Sequence, residues 1–193
     1  MPNPKSRPRK VVAGATPLEL PLAGPDAAGA KHACVEPAGR QPATGNQRLL
    51  VFIDGAARGN PGPASVGVTI REPGSDKPIC ISRFLGKRTN NQAEYEALLA
   101  ALRELERRPS RHTPRALPPE IVIRTDSELL YSQMTGRYRV KDPKLAALVW
   151  EAKKIIIRLG TVSFERIPRT DNKEADKLAN QALDRVRAEQ AEP

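Results

Sequence analysis

The apolar and polar positions of the chain change character at about residue 48. Before it, Pro, Ala and Gly recur without any period; after it, strand and helix patterns follow one another closely. Leu50-Val51-Phe52-Ile53 is an unbroken apolar run of strand length that ends at Asp54-Gly55 and the turn Arg58-Gly59-Asn60-Pro61-Gly62. Val66, Val68 and Ile70 alternate with smaller or polar residues over Ser65 to Ile70, and Ile79 to Leu85 is a third strand pattern. Short connections such as Pro73-Gly74-Ser75-Asp76 predict an antiparallel meander for these three.

The period then becomes helical. Ala93, Ala97, Leu98, Ala101, Leu102 and Leu105 form one stripe from about Asn91 to Arg107, and Thr89 with Gln92 supplies a capping box. Glu94 is expected in the first turn, near the positive end of the helix dipole. Glu120 to Thr125, rich in Ile and Val, reads as a fourth strand, and Asp126-Ser127 opens a helix through about Thr135. Strand, helix and strand imply a crossover, so the fourth strand should lie parallel to the first. That places Asp54 and Asp126 on neighbouring strands. A further helix, about Pro143 to Leu159, carries the stripe Leu145, Leu148, Val149, Ala152, Ile155, Ile156 and Leu159, with Trp150 beside it as a partly buried packing residue. Thr161 to Ile167 is the fifth strand. Asp171 with Glu174 resembles a second capping box, opening a last helix packed through Ala175, Leu178, Ala179, Ala182, Leu183 and Val186.

The pattern therefore predicts an α/β fold, a five-stranded mixed sheet with helices on both faces. We expect residues 1–47 to be a disordered tail, residues 48–188 to form one domain, and residues 189–193 to be a short C-terminal tail. The proline-broken, basic segment Pro109 to Pro119 reads as a solvated connector. With 193 residues and 39% hydrophobic content, one ordinary core is available. Lysine and arginine number 32 against 22 acids, a formal net charge of +10, which suits a polyanionic partner. Arg137, Tyr138, Arg139 and Lys141 gather positive charge and an aromatic ring in one short turn, a candidate contact surface for nucleic acid. Two cysteines, Cys34 and Cys80, make neither a disulfide framework nor a thiolate metal site. No apolar run approaches the roughly 20 residues that span a bilayer. Pro17, Pro21 and Pro25 interrupt the segment after the basic N-terminus, which argues against a secretory signal. A reducing cytoplasm is the simplest compartment, and a monomer without membrane contact is the default.

The candidate chemistry lies at element boundaries. Asp54, Glu94, Asp126 and Asp176 each have a bland reading alone, as a turn acid, a first-turn acid, a helix cap and a dipole partner. Together, with no histidine or cysteine beside them, they read as an oxygen-only site for a hard cation such as Mg²⁺ or Mn²⁺.

In this order the segments resemble the ribonuclease H family of type 1. The matching pieces are Phe52-Ile53-Asp54-Gly55 with Gly59-Asn60-Pro61-Gly62, Thr89-Asn90-Asn91-Gln92-Ala93-Glu94, Thr125-Asp126-Ser127, and Asn172-Lys173-Glu174-Ala175-Asp176-Lys177-Leu178-Ala179, spanning about Arg48 to Arg187. The resemblance implies the ribonuclease H fold and hydrolysis of the RNA strand of an RNA–DNA hybrid with two divalent ions, Mg²⁺ or alternatively Mn²⁺. It implies Asp54 as the shared ligand, Glu94 and Asp126 on one ion and Asp176 on the other. It further implies hybrid contacts by Gly55, Ala56, Asn60 and Asn91 in the minor groove, and by Thr89 and Asn90 on the DNA-strand phosphate.

The chain departs from the best-known bacterial pattern. The loop Arg166-Ile167-Pro168-Arg169-Thr170-Asp171 has no histidine where many members carry one, and Arg169 is the candidate to hold a phosphate there. Glu128 stands where many relatives have glutamine. The basic protrusion is reduced to the Arg137 to Lys141 turn, as in a shorter branch of the family. Two alternatives stand beside the hybrid nuclease: a same-fold nuclease acting on RNA duplexes or RNA–DNA junctions, and a non-catalytic hybrid-binding module.

Overall fold

A computed structural model of the chain describes residues 48–108 and 120–191. The expected tail and the Pro109 to Pro119 connector lie outside the described residues, as do Cys34 and residues 192 and 193. The five expected strands are present as β1 (Arg48–Ala57), β2 (Gly62–Arg71), β3 (Ile79–Arg88), β4 (Glu120–Thr125) and β5 (Val162–Arg166). They form one sheet in the order β3-β2-β1-β4-β5. The β1–β2 and β2–β3 pairs are antiparallel, whereas β1–β4 and β4–β5 are parallel. This is the mixed sheet expected from a meander followed by crossovers.

The helices are α1 (Asn90–Arg107), α2 (Glu128–Met134), α3 (Pro143–Leu159) and α4 (Lys173–Ala191). Alternation along β1 and β2 explains how they sit. Val51, Ile53, Val66, Val68 and Ile70 enter one apolar cluster with Leu98, Leu99 and Leu102 of α1 and with Leu145, Val149, Ala152 and Ile155 of α3. On the other face, small residues let α4 come close. A Cβ at Gly67 would lie 1.9 Å from the carbonyl oxygen of Ala175, so only glycine permits this approach. The Ser65 and Ser82 hydroxyls donate to the carbonyls of Ala179 and Leu178, at 2.6 and 2.7 Å, and fasten the helix there.

Local expectations fared unequally. The Thr89–Gln92 capping box is complete, with both reciprocal bonds formed. Glu94, however, is not in the first turn, because α1 begins at Asn90. Ser127, not Asp126, caps α2, which leaves the Asp126 carboxylate out of that role. The second capping box does not form. Asp171 closes a short 3₁₀ turn, Arg169–Asp171, and Glu174 pairs with Arg71 instead. Trp150 is 63% exposed, against the expectation of partial burial. One residue beyond the buried Val149, it points about 100° away from the α1 contact, and the Lys154 ammonium lies over its ring.

Candidate active site

Strand β1 carries Asp54 to the carboxyl end of the parallel pair, and β4 delivers Asp126 just beyond its own end, beside it. Glu94 arrives from α1, which abuts β1 so closely that a Cβ on Gly55 would sit 2.2 Å from the Glu94 backbone nitrogen. The fourth carboxylate, Asp176, comes from the start of α4, held against β2 at Gly67. The four acids expected from the sequence thus come from four different elements to one end of the sheet.

Their environments differ. Asp54 and Glu94 are each only 7% exposed. Burial, then the charges of Asp126 and Asp176, push the Asp54 carboxyl up to about 7, against a partial lowering by the Arg169 guanidinium. Burial, followed by the charges of Asp54 and Asp126, raises the Glu94 carboxyl well above its ordinary range, although the Gly55 amide favours its charged form. Glu94 Oε2 is buried and has no hydrogen-bond partner among the described residues.

Asp126 and Asp176 are less buried and are held by polar neighbours. The Asn172 side-chain amide donates to Asp126 Oδ1 at 2.9 Å. Arg169 Nη2 donates to Asp176 Oδ1 at 3.0 Å, and Asn180 Nδ2 to Asp176 Oδ2 at 3.2 Å.

This donor set fits a hard divalent cation. It offers carboxylate oxygens only, and its two buried members form no ion pair among the described residues, with Arg169 offsetting their charge only in part. The arrangement is not a closed chelate: among the described residues no group of three or more His, Cys, Asp or Glu side chains is drawn tightly enough to hold a metal ion as it stands. Carboxylates without a counter-ion repel one another, which accounts for the open spacing.

The expected substrate contacts surround the acids. Gly55 and Ala56 continue β1 past Asp54. The exposed Asn60 accepts at its Oδ1 from the Asn90 amide at 3.3 Å, which joins the β1–β2 turn to the start of α1. Thr89 accepts from the Gln92 amide as the cap of α1, and its hydroxyl proton remains to donate; Asn91 is exposed on the first turn. Arg169 lies beside Asp176 in the loop that lacks histidine. Glu128 pairs with Arg166, and the Arg137 to Lys141 turn is exposed except for the half-buried Val140, with Arg137 stacked over Tyr131. Two residues were missed by sequence reasoning. Gly67 interrupts an alternating strand, a signal of close backbone approach. Asn172 stands immediately before a helix, inside a motif whose acid drew the attention.

The comparisons with known proteins cover the same stretch of the chain. Residues 52–182 match the family model described as reverse transcriptase-like. A bifunctional protein of Mycobacterium tuberculosis is 33% identical over 138 residues, covering 71% of this chain and 36% of its own length. The chain thus spans about a third of that relative. The ribonuclease H of Pelobacter propionicus is 32% identical over 160 residues, covering 76% of this chain and 91% of its own length. Among solved structures, LC11-RNase H1, isolated from compost by a metagenomic approach, has been crystallised in complex with an RNA/DNA hybrid. That structure is 37% identical, covers 72% of this chain and 98% of its own, and superposes with a TM-score of 0.63. No described helix is long and apolar enough to cross a membrane.

Proposed function

The chain belongs to the ribonuclease H family, type 1, and on that premise we propose that it is an endoribonuclease hydrolysing the RNA strand of RNA–DNA hybrids. The observation that carries the reading is the pair of buried carboxylates, Asp54 and Glu94, only partly offset by Arg169 and flanked by Asp126 and Asp176 at one end of the sheet. A pure binding module would gain nothing from gathering mutually repelling acids.

Two divalent ions, Mg²⁺ or Mn²⁺, would be held with Asp54 shared, Glu94 and Asp126 on one and Asp176 on the other. When bound they supply an activated water and charge stabilisation for the leaving oxygen in an in-line displacement at phosphorus. The protein's own part is positional. The Gly55 and Ala56 backbone with Asn60 and Asn91 would face the minor groove, where a 2′-hydroxyl distinguishes RNA from DNA. Thr89 and Asn90 would hold a DNA-strand phosphate, and the Asn60 to Asn90 hydrogen bond supports a joint surface of turn and helix start. Arg169 would hold a phosphate near Asp176. Phosphate contacts position without reading bases, so cleavage is expected to be largely independent of sequence. Residues 48–188 would form the catalytic domain, acting as a monomer in the cytoplasm.

The test uses the full chain with end-labelled RNA–DNA hybrid, RNA duplex, DNA duplex and an RNA–DNA junction, each with Mg²⁺, Mn²⁺ or EDTA. Metal-dependent cutting of the hybrid's RNA strand alone is expected. Cutting of RNA duplex or junction at a comparable rate would replace the substrate assignment. Tight hybrid binding with no cleavage in either metal would overturn the enzyme reading in favour of a binding module.

A further inference from the structure

We propose that Asn172 is a positioning residue that fixes Asp126 relative to Asp54 and Asp176, and thereby sets the affinity of the site for a divalent cation. The assignment rests on the cation-dependent reading above. Asn172 is 1% exposed. Its Nδ2 donates at 2.9 Å both to the carbonyl of Ile53, the residue preceding Asp54, and to Oδ1 of Asp126. Its own carbonyl accepts from the Asp176 amide at 3.1 Å, and its amide donates to the Arg169 carbonyl at 3.1 Å. One residue therefore joins the backbone before one acid, the carboxylate of a second, the amide of a third and the loop that bears Arg169.

The chemistry of those partners restricts what can stand here. Both side-chain partners are acceptors, so the group between them must offer two donors; an amide nitrogen does, whereas a carboxylate or an aliphatic side chain does not. The same requirement fixes the amide's orientation, because the reversed rotamer would aim its oxygen at two other oxygens. In the required orientation Asn172 Oδ1 is buried without a hydrogen-bond partner among the described residues. A residue serving only to pack the start of α4 would not need an unpaired polar atom. What the amide achieves is directional. It occupies a lone pair on Asp126 Oδ1 and holds that carboxylate in one rotamer, as groups hydrogen-bonded to metal-ligating carboxylates do.

The experiment compares full-length wild type, Asn172→Ala and Asn172→Leu, the last retaining side-chain volume should the cavity in the alanine variant prevent folding. Ser65→Ala is the control, since it removes a buried hydrogen bond to α4 without touching a carboxylate. Mn²⁺ affinity is measured by calorimetry without substrate, and the Mg²⁺ dependence and hybrid KM of cleavage are measured separately. The expected result is a Mn²⁺ affinity about 10- to 100-fold weaker in the Asn172 variants. The Mg²⁺ requirement should rise in parallel, while hybrid KM stays within about 3-fold and Ser65→Ala binds Mn²⁺ like wild type. Unchanged Mn²⁺ affinity in the Asn172 variants overturns the proposal, as does an equal loss in Ser65→Ala, which would mean that loosening α4 suffices. A wild type that binds Mn²⁺ but cuts no hybrid defeats the nuclease reading and leaves Asn172 to be judged by the calorimetry. A wild type that binds no Mn²⁺ defeats both.

Discussion

Within four residues, β1 passes between two opposite kinds of environment. Val51 and Ile53 sit in a dry apolar cluster beneath α1 and α3, where every contact favours the folded chain. Asp54, the next residue, is almost equally buried, yet it faces three other acids, with Arg169 as an opposing charge. The core region stabilises the molecule; the carboxylate region costs stability unless a cation is bound. The difference teaches that burial alone does not report stabilisation. On the proposed function, the carboxylate end is the place where stability has been exchanged for reactivity.

The largest effect should come from removing the charge that defines the second region. Asp54→Asn is expected to lower kcat for hybrid cleavage by about 10³-fold or more, equivalent to roughly 4 kcal/mol of barrier, with hybrid binding largely retained in a gel-shift assay. Equal losses of binding and turnover would break the comparison, because Asp54 would then be part of the scaffold.

The complementary change is in the core. Leu98→Ala should destabilise by about 2–5 kcal/mol in denaturant unfolding, while kcat below its unfolding temperature stays within a few-fold. A selective loss of kcat there would show that the two regions are not separable.

The pH dependence of the metal-free protein sharpens the contrast. The Asp54 carboxyl holds its proton to about 7 in the folded chain and releases it near 3.8 when unfolded. Folding is therefore favoured by this group below pH 4, and that contribution is lost as pH rises through 7. A separation of about 3 in pKa sets an upper bound of about 4 kcal/mol. In EDTA, wild type should lose more stability between pH 5 and pH 8 than Asp54→Asn does, read from urea midpoints at each pH. Parallel curves would contradict the raised carboxyl.

The smallest effect belongs to the surface. Trp150→Ala should change stability by no more than about 0.5 kcal/mol, since the ring packs on Lys154 and not on the core.

Much of this was legible in the sequence, for identifiable reasons. Strand and helix periods report which side chains are withdrawn from water, so the sheet, its parallel pair and the α1 capping box followed directly. The four acids stood out because the sequence pattern puts each near an element boundary, although Asp54 and Glu94 lie within β1 and α1. Contacts made across the fold were not legible. That Glu174 is taken by Arg71, and Asp126 by Asn172, depends on partners far away in sequence. Trp150 was misjudged because a position at the edge of a helical stripe is decided by the angle of the neighbouring helix. Asn172 escaped because its importance lies in two acceptors, Ile53 and Asp126, each more than 45 residues away in sequence.

The most direct test of the exchange between stability and reactivity is the unfolding temperature of wild type and Asp54→Asn at pH 8, each in EDTA and in Mg²⁺. In EDTA the variant should be the more stable, by about 5 °C or more. Mg²⁺ should raise the wild type and hardly move the variant, because a ligand stabilises only the state that binds it. A wild type indifferent to Mg²⁺, with a variant less stable than wild type in EDTA, would contradict that exchange.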